Sequence, residues 1–184
     1  MHGFESNLLG LLNVAAPSSI HEVGCGEGYW VFRCLEQGLE IRGSDFSDIV
    51  IELAKENART RDLPEGVFSQ CSVYDLKADK DAADLIICCE VLEHLDQPEK
   101  ALEVLQEVTR KHIILSVPRE PVWSVLNMVR GKYWSELGNT PGHIQRWSQG
   151  AFVDLVARYF NVVQVRSPLP WTMLLCTTLD HPAV

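Results

Sequence analysis

Apolar residues along the chain change their period repeatedly, and each change marks an element. In residues 4–14, Phe4, Leu8, Leu9, Leu11 and Leu12 fall on one helical face, which predicts a short amphipathic helix. Residues 19–23 read as a first strand running into glycines. Residues 29–37 read as a helix closed by Gly38. A second strand, 39–44, ends at Asp45, and a helix over Asp48–Arg59 follows with Ser47 or Asp48 as its cap. Residues 67–73 form a third strand, and Ala83–Cys89 is apolar enough to be a buried one. Pro98–Val108 is a helix, with Pro98 suited to its first turn and Asp96 to its cap. A fifth strand over 112–117 is stopped by Pro118. A helix over 148–159 and strands over 162–167 and 172–178 complete the pattern, the two strands separated by Pro168 and Pro170.

Strands that alternate with helices imply an α/β domain, a doubly wound and mostly parallel sheet covered on both faces. The ending differs. Two strands joined by so short a turn must pair antiparallel, because a parallel crossover needs a dozen or more residues. The expectation is therefore seven strands with one antiparallel strand near the edge, in a single domain spanning 1–184. One stretch stands outside the alternation, residues 119–147. A connection of that length usually carries function.

Composition narrows this picture. The net charge of −9 weighs against a nucleic-acid backbone as the main partner, which would call for clustered Lys and Arg. No run approaches the ~18 apolar residues of a membrane span, and no basic segment precedes an apolar one at the N-terminus. Six cysteines without a CxxC pair read as reduced thiols, and the chain as cytoplasmic.

The candidate chemistry begins after the first strand. Glu22-Val23-Gly24-Cys25-Gly26-Glu27-Gly28 is a glycine-rich turn at a strand end, which lets a ligand approach the backbone and meet the free N–H groups of the next helix. The spacing is G-x-G-x-G, one residue tighter than the G-x-G-x-x-G of dinucleotide sites. Asp45, ending the second strand, is placed to accept both ribose hydroxyls of an adenosine, or to serve as a turn and cap residue.

The run Ile20-His21-Glu22-Val23-Gly24-Cys25-Gly26-Glu27-Gly28 resembles motif I of the class I S-adenosylmethionine (SAM) dependent methyltransferases. Residues 83–95, ending Glu90-Val91-Leu92-Glu93-His94-Leu95, resemble the fourth motif of the same family in its small-molecule branch, similar to the type 11 group. The resemblance covers residues 15–118 and implies a Rossmann-like fold, SAM as cofactor and methyl transfer. It implies that Gly24, Gly26 and Gly28 line the methionine and ribose part of SAM. Glu22 would hold the amino-acid moiety, Asp45 the ribose diol, and Phe46 would pack on adenine. Many relatives carry an Asp after the third strand to bind the adenine amino group. Here Ser72 or the Val73 backbone stands in that place, with Asp75 the nearest acid. Cys89 and Glu90 would meet the transferring methyl.

Two metal-using branches, the ubiquinone-biosynthesis O-methyltransferases and the small-RNA 2′-O-methyltransferases, hold a divalent ion with two Glu and two His. Glu90, Glu93, His94 and His143 are the matching candidates, against the alternative that Glu93 and His94 pack locally in a metal-free loop. His143 is also the candidate base. Segment 119–147 reads as an acceptor lid, with Trp123, Leu126, Met128, Tyr133 and Trp134 suited to a hydrophobic or ring-containing small molecule. The same stripe also fits a helix that only covers the sheet, or one that touches a lipid surface flanked by Arg119, Arg130 and Lys132. The short segment before the first strand suggests an open pocket, or one completed by the second subunit of a homodimer. The leading expectation is methylation of a small molecule, at a hydroxyl oxygen. The alternatives are a metal-assisted RNA 2′-O-methyltransferase, a nicotinamide-dependent oxidoreductase and a non-catalytic binding module.

Overall fold

The central strand runs pair side by side because both of their faces are apolar and need cover on each side of a sheet, while the outer runs 68–70 and 161–166 keep exposed positions. The computed structural model of the chain describes residues 2–124 and 144–179. Its strands are β1 (Ile20–Val23), β2 (Ile41–Asp45), β3 (Phe68–Gln70), β4 (Ala83–Cys89), β5 (Thr109–Pro118), β6 (Asn161–Arg166) and β7 (Trp171–Thr177). They form one sheet in the order β3-β2-β1-β4-β5-β7-β6. The first five run parallel, and β7 runs antiparallel to both β5 and β6. The reversed strand is therefore second from the edge, as the proline-containing turn requires.

The helices are α1 (His2–Ala15), α2 (Tyr29–Leu35), α3 (Asp48–Arg59), α4 (Ala78–Asp81), α5 (Pro98–Val108) and α6 (Gln149–Val156). Strand alternation divides the core between two layers. Ile86 and Cys88 of β4, Ile113 and Leu115 of β5 and Leu174 and Cys176 of β7 face one layer. There Leu102 and Leu105 of α5 and Phe152 and Val156 of α6 cover them. Their strand neighbours Leu85, Ile87, Ile114, Met173 and Leu175 face the other layer, under Leu8 and Leu11 of α1, Val31 and Phe32 of α2 and Ile51 and Ala54 of α3. Among the described residues, no helix is long and apolar enough to cross a membrane.

Two local expectations differ from the structure. β3 stops at Gln70, because the Cys71 N–H still bonds the Asp45 carbonyl at 2.9 Å but Ser72 turns away. The Ser72 side chain accepts from Tyr74 N–H and caps a 3₁₀ turn over Val73–Asp75. At α5 the capping position is Gln97 rather than Asp96, with no side-chain bond to the helix end, while Pro98 takes the first turn as expected. The cap of α3 is Ser47, which accepts from Val50 N–H at 3.3 Å.

Candidate active site

The order of the sheet sets where a ligand binds. The chain builds β1, β2 and β3 in one direction and then returns to place β4 on the other side of β1. At that switch the connections after β1 and β4 diverge and leave a crevice at the strand ends. Two cavities occupy it, and both are lined by Gly24 and Glu90.

The larger cavity, about 940 Å³, is lined by Asp45, Phe46, Ser72, Val73 and His94 among others. Each oxygen of Asp45 accepts one backbone N–H, from Gly26 at 3.1 Å and from Ser47 at 3.0 Å. The carboxylate thus ties the glycine turn to the start of α3. Each oxygen keeps a further lone pair for a ribose hydroxyl. Phe46 is 76% exposed at the rim, a flat apolar surface beside the opening. Ser72 and Val73 line the same cavity, so the site residues expected on the adenosine side are brought together.

The smaller cavity, about 350 Å³, begins at the glycine turn with Glu22, Gly24, Cys25 and Gly26 and includes Cys89 and Glu90. Gly26 has φ +53 and open space where a Cβ would stand, which leaves room for a ligand against the backbone. Gly28 lies outside both linings. Its φ is +89, and a Cβ there would meet the Phe68 and Phe32 rings at 2.7 and 2.9 Å, so it shapes the start of α2. Glu22 is buried at 4% exposure, and its Oε2 has no hydrogen-bond partner among the described residues. Burial pushes its carboxyl up to about 8. The Val31 backbone offsets part of that cost, and Oε2 has capacity for a further donor.

Glu90 sits where the cavities meet. Its backbone is left-handed at φ +58, unusual for a residue with a side chain. Oε1 accepts from Ser116 Oγ at 3.0 Å, and Oε2 accepts from Trp171 Nε1 at 2.7 Å. Glu93 is 1% exposed, and neither of its carboxyl oxygens has a hydrogen-bond partner among the described residues. Burial holds both carboxyls above the ordinary carboxylate range, and the nearby Glu90 charge raises Glu93 further. The Glu93 carbonyl takes the N–H groups of Ile144 and Gln145, pinning the returning end of the long connection. Among the described residues, no group of three or more His, Cys, Asp or Glu side chains is placed to hold a metal ion. The fourth metal candidate and expected base, His143, lies outside the described residues, as does most of the proposed lid.

Sequence reading missed the aromatic part of the smaller cavity. Phe4 of α1, Tyr29 and Trp30 of α2 and Trp171 of β7 all line it. In sequence they look like core positions, and only the tertiary fold brings residues 4, 30 and 171 together.

The geometry agrees with comparison to known proteins. The family described as "Methyltransferase domain" matches residues 21–112, half of the 184-residue chain. A ubiquinone biosynthesis O-methyltransferase of Alkalilimnicola ehrlichii is 26% identical over 153 residues, covering 76% of this chain and 61% of that protein. The chain thus spans about three fifths of that relative's length. The magnesium protoporphyrin IX methyltransferase of Synechocystis PCC 6803, solved with bound S-adenosylhomocysteine (SAH), superposes with a TM-score of 0.73 at 17% identity. That alignment covers 96% of this chain and 83% of the other. The methyltransferase domain of bacterial CtHen1 superposes with a TM-score of 0.71 at 23% identity, covering 95% and 97%. At such identities the two structures speak for the fold.

Proposed function

The chain belongs to the SAM-dependent methyltransferases, and we propose that it transfers the methyl group of SAM to a hydroxyl oxygen of a small-molecule acceptor. The observation that carries this reading is the pair of cavities that share Gly24 and Glu90. One offers a carboxylate and an apolar rim for an adenosine. The other offers a glycine-lined floor and an apolar wall for the reacting groups.

The residues present fit the cofactor. Asp45 has acceptor capacity for a ribose diol, and Gly26 leaves open space over the backbone. Glu22 Oε2, buried and unpartnered among the described residues, suits the ammonium of a methionine moiety. When bound, SAM supplies an already activated methyl on a cationic sulfur. The protein's task is then mainly to hold the acceptor oxygen in line and exclude water. A hydroxyl acceptor that took the methyl would have to give up its proton to the protein. Glu90, held by Ser116 and Trp171 at the junction, is the described carboxyl nearest to that role, and burial raises its proton affinity toward neutral pH. His143 is the alternative base suggested by sequence.

The curated relative's name supports an oxygen acceptor, since it is an O-methyltransferase. The test is incubation of the purified chain with SAM and a panel of hydroxylated and amine-bearing small molecules, with SAH release and product mass followed. Acceptor-dependent SAH release with an O-methylated product is the expected result. Release that depends only on amines, or on RNA, overturns the acceptor assignment.

A further inference from the structure

A buried polar pair inside the sheet holds the glycine turn without lining either cavity. All four residues of β1 are buried, and two of them, His21 and Glu22, are polar. Alternation turns these two to opposite faces of the sheet. Glu22 lines the smaller cavity, whereas His21, 1% exposed, lies on the other face. There its Nε2 is 2.8 Å from Ser44 Oγ of β2, and its Nδ1 is 2.9 Å from the Asp81 carbonyl at the end of α4. Ser44 is buried as deeply. A carbonyl only accepts, so Nδ1 holds the ring proton, and Nε2 of the neutral ring accepts from the Ser44 hydroxyl. Burial keeps the ring neutral by lowering its pKa, against the pull of the Asp81 bond and with help from the Arg42 charge.

Ser44 passes this brace to the turn. Its backbone carbonyl accepts the N–H groups of Gly24 at 2.7 Å and Cys25 at 2.9 Å. The adjoining Asp45 carboxylate accepts that of Gly26. Three successive N–H groups of the turn are thus engaged by the end of β2, so a ligand meets the shape of the turn rather than these donors. That shape is as firm as the position of Ser44. An apolar pair would fill the same space without burying two polar groups, and a hydrogen-bonded pair adds a fixed geometry. We propose that His21 and Ser44 are positioning residues for methyl-donor binding: the imidazole fixes Ser44, and Ser44 fixes the backbone of Gly24 and Cys25 against the cofactor. The proposal rests on the SAM reading above, and it assigns residues that do not themselves touch the cofactor.

Calorimetric titration with SAH tests it, beside denaturant unfolding of the same variants. Ser44→Ala removes one oxygen and is expected to weaken SAH at least about fivefold. His21→Leu, which fills the space without bonding, weakens it by a similar factor. The double variant is no more than about twofold weaker than the weaker single one, because both substitutions break one chain of bonds. His21→Gln, whose amide can still reach Ser44, recovers part of the affinity lost in His21→Leu. Should His21→Leu not fold, Ser44→Ala and His21→Gln decide the question. Thr109→Ala deletes another buried hydroxyl bond, at the start of β5 and far from the crevice. It lowers stability and leaves SAH affinity within about twofold of the parent. Amide hydrogen exchange without ligand gives a second readout: Ser44→Ala speeds exchange at Gly24 and Cys25, and Thr109→Ala does not. The proposal is overturned if Ser44→Ala binds SAH within about twofold of the parent, or if the losses multiply in the double variant. It is also overturned if His21→Gln binds no more tightly than His21→Leu, or if Thr109→Ala weakens SAH as much as Ser44→Ala does. Failure of the parent protein to bind SAH instead removes the cofactor reading, and the exchange result still decides whether the pair holds the turn.

Discussion

At the scale of single residues, the glycines of one motif do different work, and substitution separates them. Gly26 has no neighbour where a Cβ would stand, so Gly26→Ala costs the fold mainly its left-handed backbone, about 1 kcal/mol. The added methyl enters the space proposed for the ligand, so SAH affinity falls by at least about tenfold. Gly28→Ala pushes a methyl into the Phe68 and Phe32 rings and lowers the melting temperature more than Gly26→Ala does. Equal effects of the two on stability and on binding would contradict this division. Glu22 adds a pH dependence. Its carboxyl rises from an ordinary 4.5 to about 8 in the folded chain because burial disfavours its charge. Between those values the folded state keeps a proton that the unfolded state has released, so the ligand-free protein loses stability as pH rises through that window. Glu22→Gln has no such proton and flattens the slope. Denaturant titrations at pH 5, 7 and 9 measure it, and an unchanged slope would contradict the assignment.

At the scale of elements, what sequence made legible was periodicity, and what it hid was contact between distant segments. The apolar run Ala83–Cys89 announced a central strand because both of its faces are buried. Ser47 was readable as a cap because a hydroxyl before a helical pattern can accept from the first free N–H groups. The end of β3 was not readable, because Cys71, Ser72 and Val73 look like strand residues and only the Ser72 bond to Tyr74 N–H turns the chain. The Phe4, Trp30 and Trp171 row was hidden for another reason: aromatic residues at helical and strand spacing look like core. Two substitutions test the element-level account. Ser47→Ala removes one cap bond and costs about 1 kcal/mol in a denaturant midpoint comparison. Leu102→Ala in α5, fully buried against β4 and β5, costs about 2–5 kcal/mol. A loss at Ser47 equal to that at Leu102 would mean that helix ends, not the packed layers, dominate stability.

At the scale of the whole molecule, the fold places the site by topology. The reversal from β3 back to β4 opens the crevice, the glycine turn floors it and Asp45 ties that turn to α3. The acidic balance of the chain and the apolar wall of the smaller cavity both suit a small uncharged acceptor better than a polyanion. The most direct test of the central claim, that this crevice is a SAM site, is calorimetric titration of the purified chain with SAH and, separately, with NAD⁺, repeated on Asp45→Ala. The account predicts saturable SAH binding, weakened at least about tenfold in a folded Asp45→Ala variant, and no binding of NAD⁺. Absence of SAH binding by the parent chain, or NAD⁺ bound as well as SAH, would contradict it.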